Sequence, residues 1–189
     1  MAGSILEKMD SGSDNCLMQL VRSGDIDKLG LLFERYKAPL FGYYYRTTRD
    51  VEISEDLVQS VFLRILKYRH RFSNEGKFST WMYHIAHNVY KDYIKKSNSY
   101  QNSVDFSEKE TVDFNTAEEL VLKRENICLI EKALCLLSND HREILVLSRY
   151  QGLKYKEIGE ILGCSVGAVK VRVFRAITNL KRTYSELKG

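Results

Sequence analysis

Apolar residues recur every three to four positions over most of this chain, and the sequence has no sustained two-residue alternation. Such spacing indicates amphipathic α-helices rather than β-strands. The helical pattern is nearly unbroken from Asp14 to about Lys96, and it resumes near Ala117 and continues to about Leu187. One proline, Pro39, and 11 glycines leave few breaks within it. The sequence therefore predicts an all-α protein.

Interruptions of the helical pattern divide the chain into two helical domains of unequal size. Residues 1–14 are polar and are expected to form a disordered N-terminus, followed by a first domain over 15–98. Residues 99–119 are polar and acidic, which is typical of flexible linkers. A second domain is predicted over 120–187.

The segment from Tyr155 to Val166 predicts a helix-turn-helix. Gly163 suits the left-handed backbone position just past the end of a helix. Ser165 can cap the next helix, because its hydroxyl can accept hydrogen bonds from the first free backbone amides. Two helices joined by about three residues allow the second helix to lie in the major groove of DNA.

The second helix of this motif is expected to have a core stripe and an opposite, outward face. On a helical wheel the core stripe contains Val166, Val169, Val173, Ile177 and Leu180. The outward face and first turn supply the candidates for binding duplex DNA, which are Ser165, Gly167, Lys170, Val171, Arg172, Phe174 and Arg175. A basic face is often only solvated. Val171 and Phe174 favour DNA contact instead, because apolar side chains suit thymine methyl groups.

A helix predicted over 56–66 is apolar on two faces. Ser54 is its expected N-cap. One face is assigned to the core, with Leu57, Val58, Val61, Ile65 and Tyr68. The other face contains Asp56, Gln59, Phe62, Leu63 and Leu66. A helix of this kind is either central in a bundle or docked on a partner, and the spacing alone leaves both possibilities open.

A polar loop, Phe72–Phe78, leads into a long helix that carries aromatic, basic and amide side chains. Its core stripe is Phe78, Met82, Ile85, Val89 and Tyr93, whereas Tyr83 and Tyr90 are expected to be exposed. The loop and outer side give candidates for binding single-stranded or flipped bases, namely Phe72, Asn74, Lys77, Trp81, His84, His87, Asn88, Lys91 and Lys95. Trp81 is also a natural core residue. The two histidines have no third metal ligand nearby in the sequence.

Charge is distributed unevenly, although the net charge is only +4. Residues 59–96 carry a local charge of +6 and residues 154–182 one of +5, whereas 97–119 carry −5. Two basic blocks on either side of an acidic spacer indicate two surfaces that bind polyanions.

Other chemistries find no support in the sequence. The four cysteines lack metal-ligand spacing, so we interpret them as small apolar side chains in a reducing, bacterial-type cytoplasm. No apolar run approaches the roughly 20 residues that span a bilayer. We find neither a nucleophile–base pair nor a phosphate-binding glycine loop. No catalysis, cofactor, metal or membrane insertion is therefore expected.

Three blocks of residues carry a family resemblance. They are Asp56-x-x-Gln59-x-x-Phe62, the run from Phe78 to Asn88, and the segment Leu137–Leu180. In this order and spacing they resemble the extracytoplasmic-function (ECF) group of the sigma-70 family of RNA polymerase sigma factors. The resemblance covers nearly the whole chain.

The resemblance implies a role for each candidate surface. It implies a sigma region 2 bundle over 15–98 and a sigma region 4 helix-turn-helix over 120–187. Core RNA polymerase would bind the face from Asp56 to Leu66. The candidates between Phe72 and Lys95 would read the melted −10 element of promoter DNA, and those between Ser165 and Arg175 the duplex −35 element. Relatives are usually held inactive by an anti-sigma factor, so such a partner is implied here too.

The chain departs from the family pattern in two places. Many relatives have a Leu-Pro pair where this chain has Ser138-Asn139-Asp140, which can cap a helix equally well. Val171 stands where relatives often have a small polar residue, so no −35 sequence preference is carried over.

A sigma factor is the leading functional hypothesis, and it predicts negligible DNA affinity without core polymerase. The alternative is a stand-alone helix-turn-helix regulator, which would explain neither the 56–66 helix nor the aromatic, basic helix. An RNA-binding role is more remote, and an enzyme is least favoured.

Overall fold

The computed structural model of this chain describes residues 12–100 and 118–189. Within these ranges it contains eight α-helices, one 3-10 turn and one π-helical segment, and no β-strand. The elements are α1 (Asp14–Ser23), α2 (Lys28–Thr48), α3 (Val51–Tyr68), the 3-10 turn Arg69–Arg71, α4 (Phe78–Tyr100), α5 (Glu118–Cys135), α6 (Asn139–Leu145), the π segment Val146–Tyr150, α7 (Tyr155–Leu162) and α8 (Val166–Lys188). The all-α prediction is confirmed. Most of the predicted disordered N-terminus and acidic linker lies outside the described residues.

Helices α1–α4 form an N-terminal bundle. Helix α1 begins after Ser13, whose side chain accepts a hydrogen bond from the Cys16 amide, and it ends at Gly24 in the left-handed conformation. Helix α3 packs between α2 and α4, and α1 covers parts of α2 and α4. The apolar side chains that are fully enclosed here include Met18, Leu32, Leu40, Val61, Ile65, Phe78 and Met82.

Helix α3 begins earlier than its sequence predicts. Asp50, not Ser54, is the N-cap, and its carboxylate accepts from the Ile53 amide at 3.0 Å. Ser54 is fully buried inside the helix, where its hydroxyl donates to the Asp50 carbonyl. Aspartate and serine are both preferred at the N-cap position of helices. Asp50 is the cap because Arg49, just before it, adopts a left-handed backbone conformation, which ends α2 and leaves Asp50 extended.

Helices α5–α8 form the C-terminal domain, and its helix-turn-helix follows the prediction. Gly163 has φ +64 at the end of α7, and the next amide, that of Cys164, donates to the Gly159 carbonyl at 2.9 Å. The Ser165 hydroxyl caps α8 by accepting from the Ala168 amide at 3.2 Å. Both local predictions, the left-handed glycine and the serine cap, are confirmed.

The two domains pack directly against each other. Helix α4 lies against α7, and α2 contacts α5, α6 and the π segment. Buried apolar side chains from both domains form one continuous cluster. Polar contacts also cross the boundary, since the Arg142 guanidinium donates to the Thr47 carbonyl at 2.8 Å and the Gln151 amide donates to the Pro39 carbonyl at 3.2 Å.

Candidate nucleic-acid and polymerase interfaces

The outward side of α8 presents a face that we call the groove-reading face, formed by Lys170, Val171, Arg172, Phe174 and Arg175. All five side chains are exposed. Val171 is 50% exposed and Phe174 is 71% exposed, whereas Val173 between them in sequence is 2% exposed. Two exposed apolar residues beside three cations can contact thymine methyl groups while the cations reach phosphates or base edges.

The first turn of α8 is open to approach. Ser165 and Gly167 are exposed, and a side chain added at Gly167 would meet no atom closer than the Ser165 hydroxyl, 3.8 Å away. Val166 is 41% exposed, so its predicted place in the core stripe is wrong. It is the first residue of α8, and the buried stripe starts three residues later, at Val169.

The loop between the 3-10 turn and α4 forms one wall of a pocket of about 210 Å³. We call this cavity the loop pocket, and its lining includes Phe72, Asn74, Lys77, Trp81, His84 and Glu160. Five of these six are predicted DNA-binding residues, and the structure brings them together. Glu160 is different, because it belongs to α7 of the other domain.

Asn15 on α1 fixes the shape of this loop, a role that sequence reasoning missed. Its side-chain amide donates to the Asn74 side chain and to the Gly76 carbonyl, each at 2.7 Å, and its oxygen accepts from the Phe78 amide at 2.8 Å. These three bonds hold the loop in a defined shape, with Asn74 in the left-handed conformation. The partners lie about sixty residues apart, so no local pattern could have indicated the contact.

Phe72 forms the floor of the loop pocket rather than an exposed stacking surface. It is 3% exposed, with ring centroids 5.4 Å from Trp81 and 6.2 Å from Phe78. Its prediction as a free DNA contact therefore needs correction, because the aromatic cluster encloses the ring. Trp81 is only partly buried and lines the pocket, so both of its proposed roles, in the core and in the site, are compatible with its position.

Helix α4 has an exposed row consisting of His84, Asn88, Lys91 and Lys95. Burial, and then the electrostatic interaction with His87, lower the pKa of His84. The Asn88 amide lies 3.4 Å from the His84 ring. This row continues from the loop pocket along the helix, so a single strand could follow it with phosphates on the lysines.

His87 is not exposed, which corrects its prediction as a free DNA contact. Its side chain is 12% exposed and its Nδ1 lies 2.7 Å from a Glu143 carboxylate oxygen on α6. Tyr83 and Tyr90 were also predicted to be exposed but are 4% and 2% exposed. Burial raises the pKa of both phenols, and each donates a hydrogen bond, Tyr83 to Gln151 and Tyr90 to the Thr47 carbonyl. The helical-wheel prediction was wrong for these residues because α2 and the C-terminal domain cover the other sides of α4.

On α3, the predicted polymerase-binding residues form what we call the docking face. Asp56, Gln59 and Leu63 are exposed, Leu63 by 66%, and Leu66 is partly exposed. Phe62 is 7% exposed because its ring packs against Phe33 of α2, with centroids 4.9 Å apart. Its assignment to an accessible face is therefore corrected: Phe62 supports the face from beneath.

Glu157 links the two domains at the rim of the loop pocket. Its carboxylate lies 2.8 Å from the Lys77 ammonium, and it accepts from the Lys154 backbone amide at 2.7 Å. Burial raises the pKa of Glu157, but these hydrogen bonds and the two lysine charges lower it more, so the net shift is downward. The carboxylate is therefore held in its charged form against a residue predicted to bind DNA.

Comparison with known proteins identifies both domains. The family model for sigma-70 region 2 matches residues 32–100, and the model for sigma-70 region 4 matches residues 129–180. The RNA polymerase sigma factor CarQ of Myxococcus xanthus is 31% identical over 90% of this chain and 97% of its own length. The ECF RNA polymerase sigma-E factor of Escherichia coli is 29% identical over 87% of this chain and 90% of its own.

Solved structures support the same fold. The chain resembles CnrH, solved in complex with the cytosolic domain of CnrY, with a TM-score of 0.69, 24% identity, and coverage of 92% of this chain and 97% of that one. It also resembles the sigma factor RpoE of Bartonella quintana, solved with the anti-sigma factor NepR, with a TM-score of 0.65, 22% identity, and coverage of 82% and 96%.

A stand-alone helix-turn-helix regulator is not favoured, because it would leave the region 2 match without a purpose. Family members are non-catalytic initiation factors. None of the helices in the described parts of the chain combines the length and hydropathy needed for a membrane span. The chain belongs to the sigma-70 family of RNA polymerase sigma factors, within its extracytoplasmic-function group.

Proposed function

We propose that this sigma factor docks on core RNA polymerase through the face on α3, reads the melted −10 element with the loop pocket and the exposed row of α4, and reads the duplex −35 element with α8. The loop pocket is the observation that carries the proposal. It is held in shape by Asn15, has an aromatic floor, and leads into a row of basic and amide side chains. These are features that suit an unstacked base and its flanking phosphates.

The groove-reading face supplies the second DNA contact. A recognition helix presents its N-terminal part to base edges, and Ser165 and Gly167 leave that part unobstructed. Lys170 and Arg175 would take phosphates or guanine edges, while Val171 and Phe174 favour thymine-containing steps.

Polymerase docking would centre on Leu63. A leucine that is 66% exposed beside Asp56 and Gln59 has an apolar surface with no partner of its own domain covering it. Phe62, packed on Phe33, keeps α3 in place rather than touching polymerase.

An anti-sigma partner and a cytoplasmic location complete the proposal. CnrH and the Bartonella RpoE were each solved with a bound protein, which for RpoE is an anti-sigma factor. We infer a partner of that kind for this chain, and we assign it to the cytoplasm, where core polymerase and promoter DNA are found. It performs no catalysis itself.

The deciding experiment is transcription in vitro with purified core polymerase and a pool of genomic templates. The full chain should produce initiation at discrete promoters that core polymerase alone does not use. If no promoter-dependent transcript appears across the pool, the proposed function is wrong.

A single substitution tests the docking face. Leu63→Ala should weaken binding to core polymerase at least about fivefold, since an apolar interface anchor is worth more than about 1 kcal/mol, while the free energy of unfolding changes by less than about 0.5 kcal/mol. Leu136→Ala is the matched control, because Leu136 is also 66% exposed but lies in the other domain. Equal polymerase affinity of both variants would remove Leu63 from the interface.

A further inference from the structure

The loop that forms a wall of the loop pocket is held at both of its ends by helix α1. Towards the end of the loop, Asn15 makes its three hydrogen bonds. At the start of the loop, the Arg22 guanidinium donates to the Phe72 carbonyl at 2.8 Å. Asn15 and Arg22 are separated by about two helical turns, so their side chains leave the same side of α1. One side of a single helix therefore holds the whole loop.

The contacts at position 15 require an asparagine. The Phe78 amide can only donate, so it fixes the position of the Asn15 oxygen, and the Gly76 carbonyl can only accept, so it fixes the Asn15 nitrogen. The same nitrogen also donates to the Asn74 side chain at 2.7 Å. One planar group thus supplies an acceptor and two donors, which neither an ionised aspartate nor a serine can do.

Two of the Asn15 bonds act at points of the loop that need support. Phe78 is the first residue of α4, so its amide has no acceptor within that helix. Asn74 has φ +59, a left-handed conformation that is uncommon for residues other than glycine. Such conformations persist where the surrounding structure holds them. Asn15 therefore supports the start of α4 and the turn at Asn74 together.

Helix α1 is itself firmly attached to the N-terminal bundle. Its side chains Met18 and Val21 are fully buried. Asp14 accepts from the Arg35 guanidinium at 2.7 Å and from the Tyr36 hydroxyl at 2.5 Å, and both of these residues belong to α2. Residues on a rigid, packed element hold a neighbouring site more precisely than a loop can hold itself. The loop therefore takes its shape from a fixed helix.

The match to the family model does not explain these contacts. The model for sigma-70 region 2 begins at residue 32, whereas α1 ends at Ser23. The loop pocket lies within the matched part of the chain, but the residues of α1 that hold its loop lie outside it. The match therefore assigns no role to Asn15 or Arg22.

We propose that Asn15 and Arg22 are positioning residues for base selection: without touching DNA, they hold the loop in the shape in which its pocket distinguishes the preferred −10 base from the other three. Phosphate contacts position a strand, and contacts with bases specify it. The lysines proposed to take phosphates, Lys91 and Lys95, lie further along α4 and are not held by the loop. A displaced loop should therefore leave strand binding largely intact and remove base discrimination. This positioning role rests on the proposed function of the loop pocket.

The test replaces Asn15 with an aspartate of nearly the same size. Asn15→Asp keeps an oxygen for the Phe78 amide, but it sets a second oxygen against the acceptors of Asn74 and Gly76. Position 15 is in the first turn of α1, where a carboxylate favours the helix dipole, so α1 itself should not be weakened. Gln19→Glu is the matched control, because it makes the same amide-to-carboxylate change one turn further along α1.

Transcription in vitro with core polymerase measures the base discrimination. One promoter that the wild type uses is taken, and each base of its −10 element is changed in turn to the other three. The wrong base at the position read by the loop pocket should reduce wild-type initiation by about fivefold or more. With Asn15→Asp this ratio should fall below about twofold, and with Gln19→Glu it should equal that of the wild type. A variant that is merely unstable would lose transcription from every template by the same factor, which leaves the ratio unchanged.

A variant of the pocket itself separates the two ways in which the experiment can fail. Asn74→Ala with His84→Ala changes two residues that line the loop pocket. If this double variant lowers the ratio and Asn15→Asp does not, Asn15 is not a positioning residue. If neither lowers the ratio, the loop pocket does not read the base, and the proposed function fails together with the positioning role. Should Asn15→Asp not fold, Arg22→Ala removes the bond at the start of the loop from an exposed position, and an unchanged ratio would overturn the proposal.

Discussion

Two glycines of the helix-turn-helix offer a matched test of how tightly its turn is built. Gly159 lies inside α7, where the chain folds back after Gly163. A β-carbon at Gly159 would stand 2.7 Å from the Cys164 carbonyl oxygen, closer than such contacts occur in proteins. Gly167, in the first turn of α8, has open space instead, with the Ser165 hydroxyl 3.8 Å away.

The expected changes in the free energy of unfolding follow from these contacts. Replacing glycine with alanine in a helix is worth up to about 1 kcal/mol in favour of folding, through the lower entropy of the unfolded chain. At Gly159 the clash involves backbone, so it must be relieved by moving the turn, and overpacking of this kind costs about 1–3 kcal/mol. Gly159→Ala should therefore be less stable than Gly167→Ala by about 1–3 kcal/mol.

Thermal unfolding of both full-length variants, followed by circular dichroism, measures this difference. For a chain of this size 1 kcal/mol corresponds to about 2–4 °C in Tm, so the two midpoints should differ by about 2–12 °C. Gly167→Ala should also weaken −35 duplex binding by the polymerase complex, because its methyl group holds the helix away from the groove. Equal midpoints for the two variants would refute the close approach at Gly159.

Two further predictions concern single side chains. Phe174→Ala should change the free energy of unfolding by less than about 0.5 kcal/mol and should weaken −35 duplex binding by the polymerase complex. Val173→Ala, at a site 2% exposed, should lower the free energy of unfolding, measured in urea, by about 1–3 kcal/mol. Similar stabilities of the two variants would contradict the orientation of α8. The pKa of His84 should lie below 6.5 in the free chain, because burial and then His87 lower it. The contribution of His84 to the free energy of unfolding is therefore complete above pH 6.5, and it is lost as the pH falls towards the lower pKa of the folded state. Titration by NMR should show His87→Ala raising that pKa, and an unchanged value would refute the coupling.

Local chemistry is what the sequence predicted well. The end of α7 and the start of α8 depend on the left-handed tolerance of Gly163 and the capping hydroxyl of Ser165, and both effects act within three residues. The buried and exposed sides of α8 also followed the helical wheel, because the helices that pack on α8 cover only one stripe of it. Val166 deviates because it lies at the end of that contact.

Contacts between residues distant in sequence account for what the sequence could not predict. A wheel assumes one buried face, but α4 is covered on several sides, so Tyr83, Tyr90 and His87 are enclosed although they lie outside the apolar stripe. Asn15 reaches the loop from 59 to 61 residues away. Glu143 meets Tyr43 across 100 residues. The periodic pattern of apolar residues in the sequence does not indicate that the two residues of such a pair meet.

The charge pattern had predicted two polyanion-binding surfaces, and the same electrostatics explains an ion pair between the two domains. A surface basic enough to attract a DNA strand also attracts acidic side chains of its own chain. Lys77 is paired with Glu157 in this way. A strand that binds Lys77 would therefore have to displace the Glu157 carboxylate.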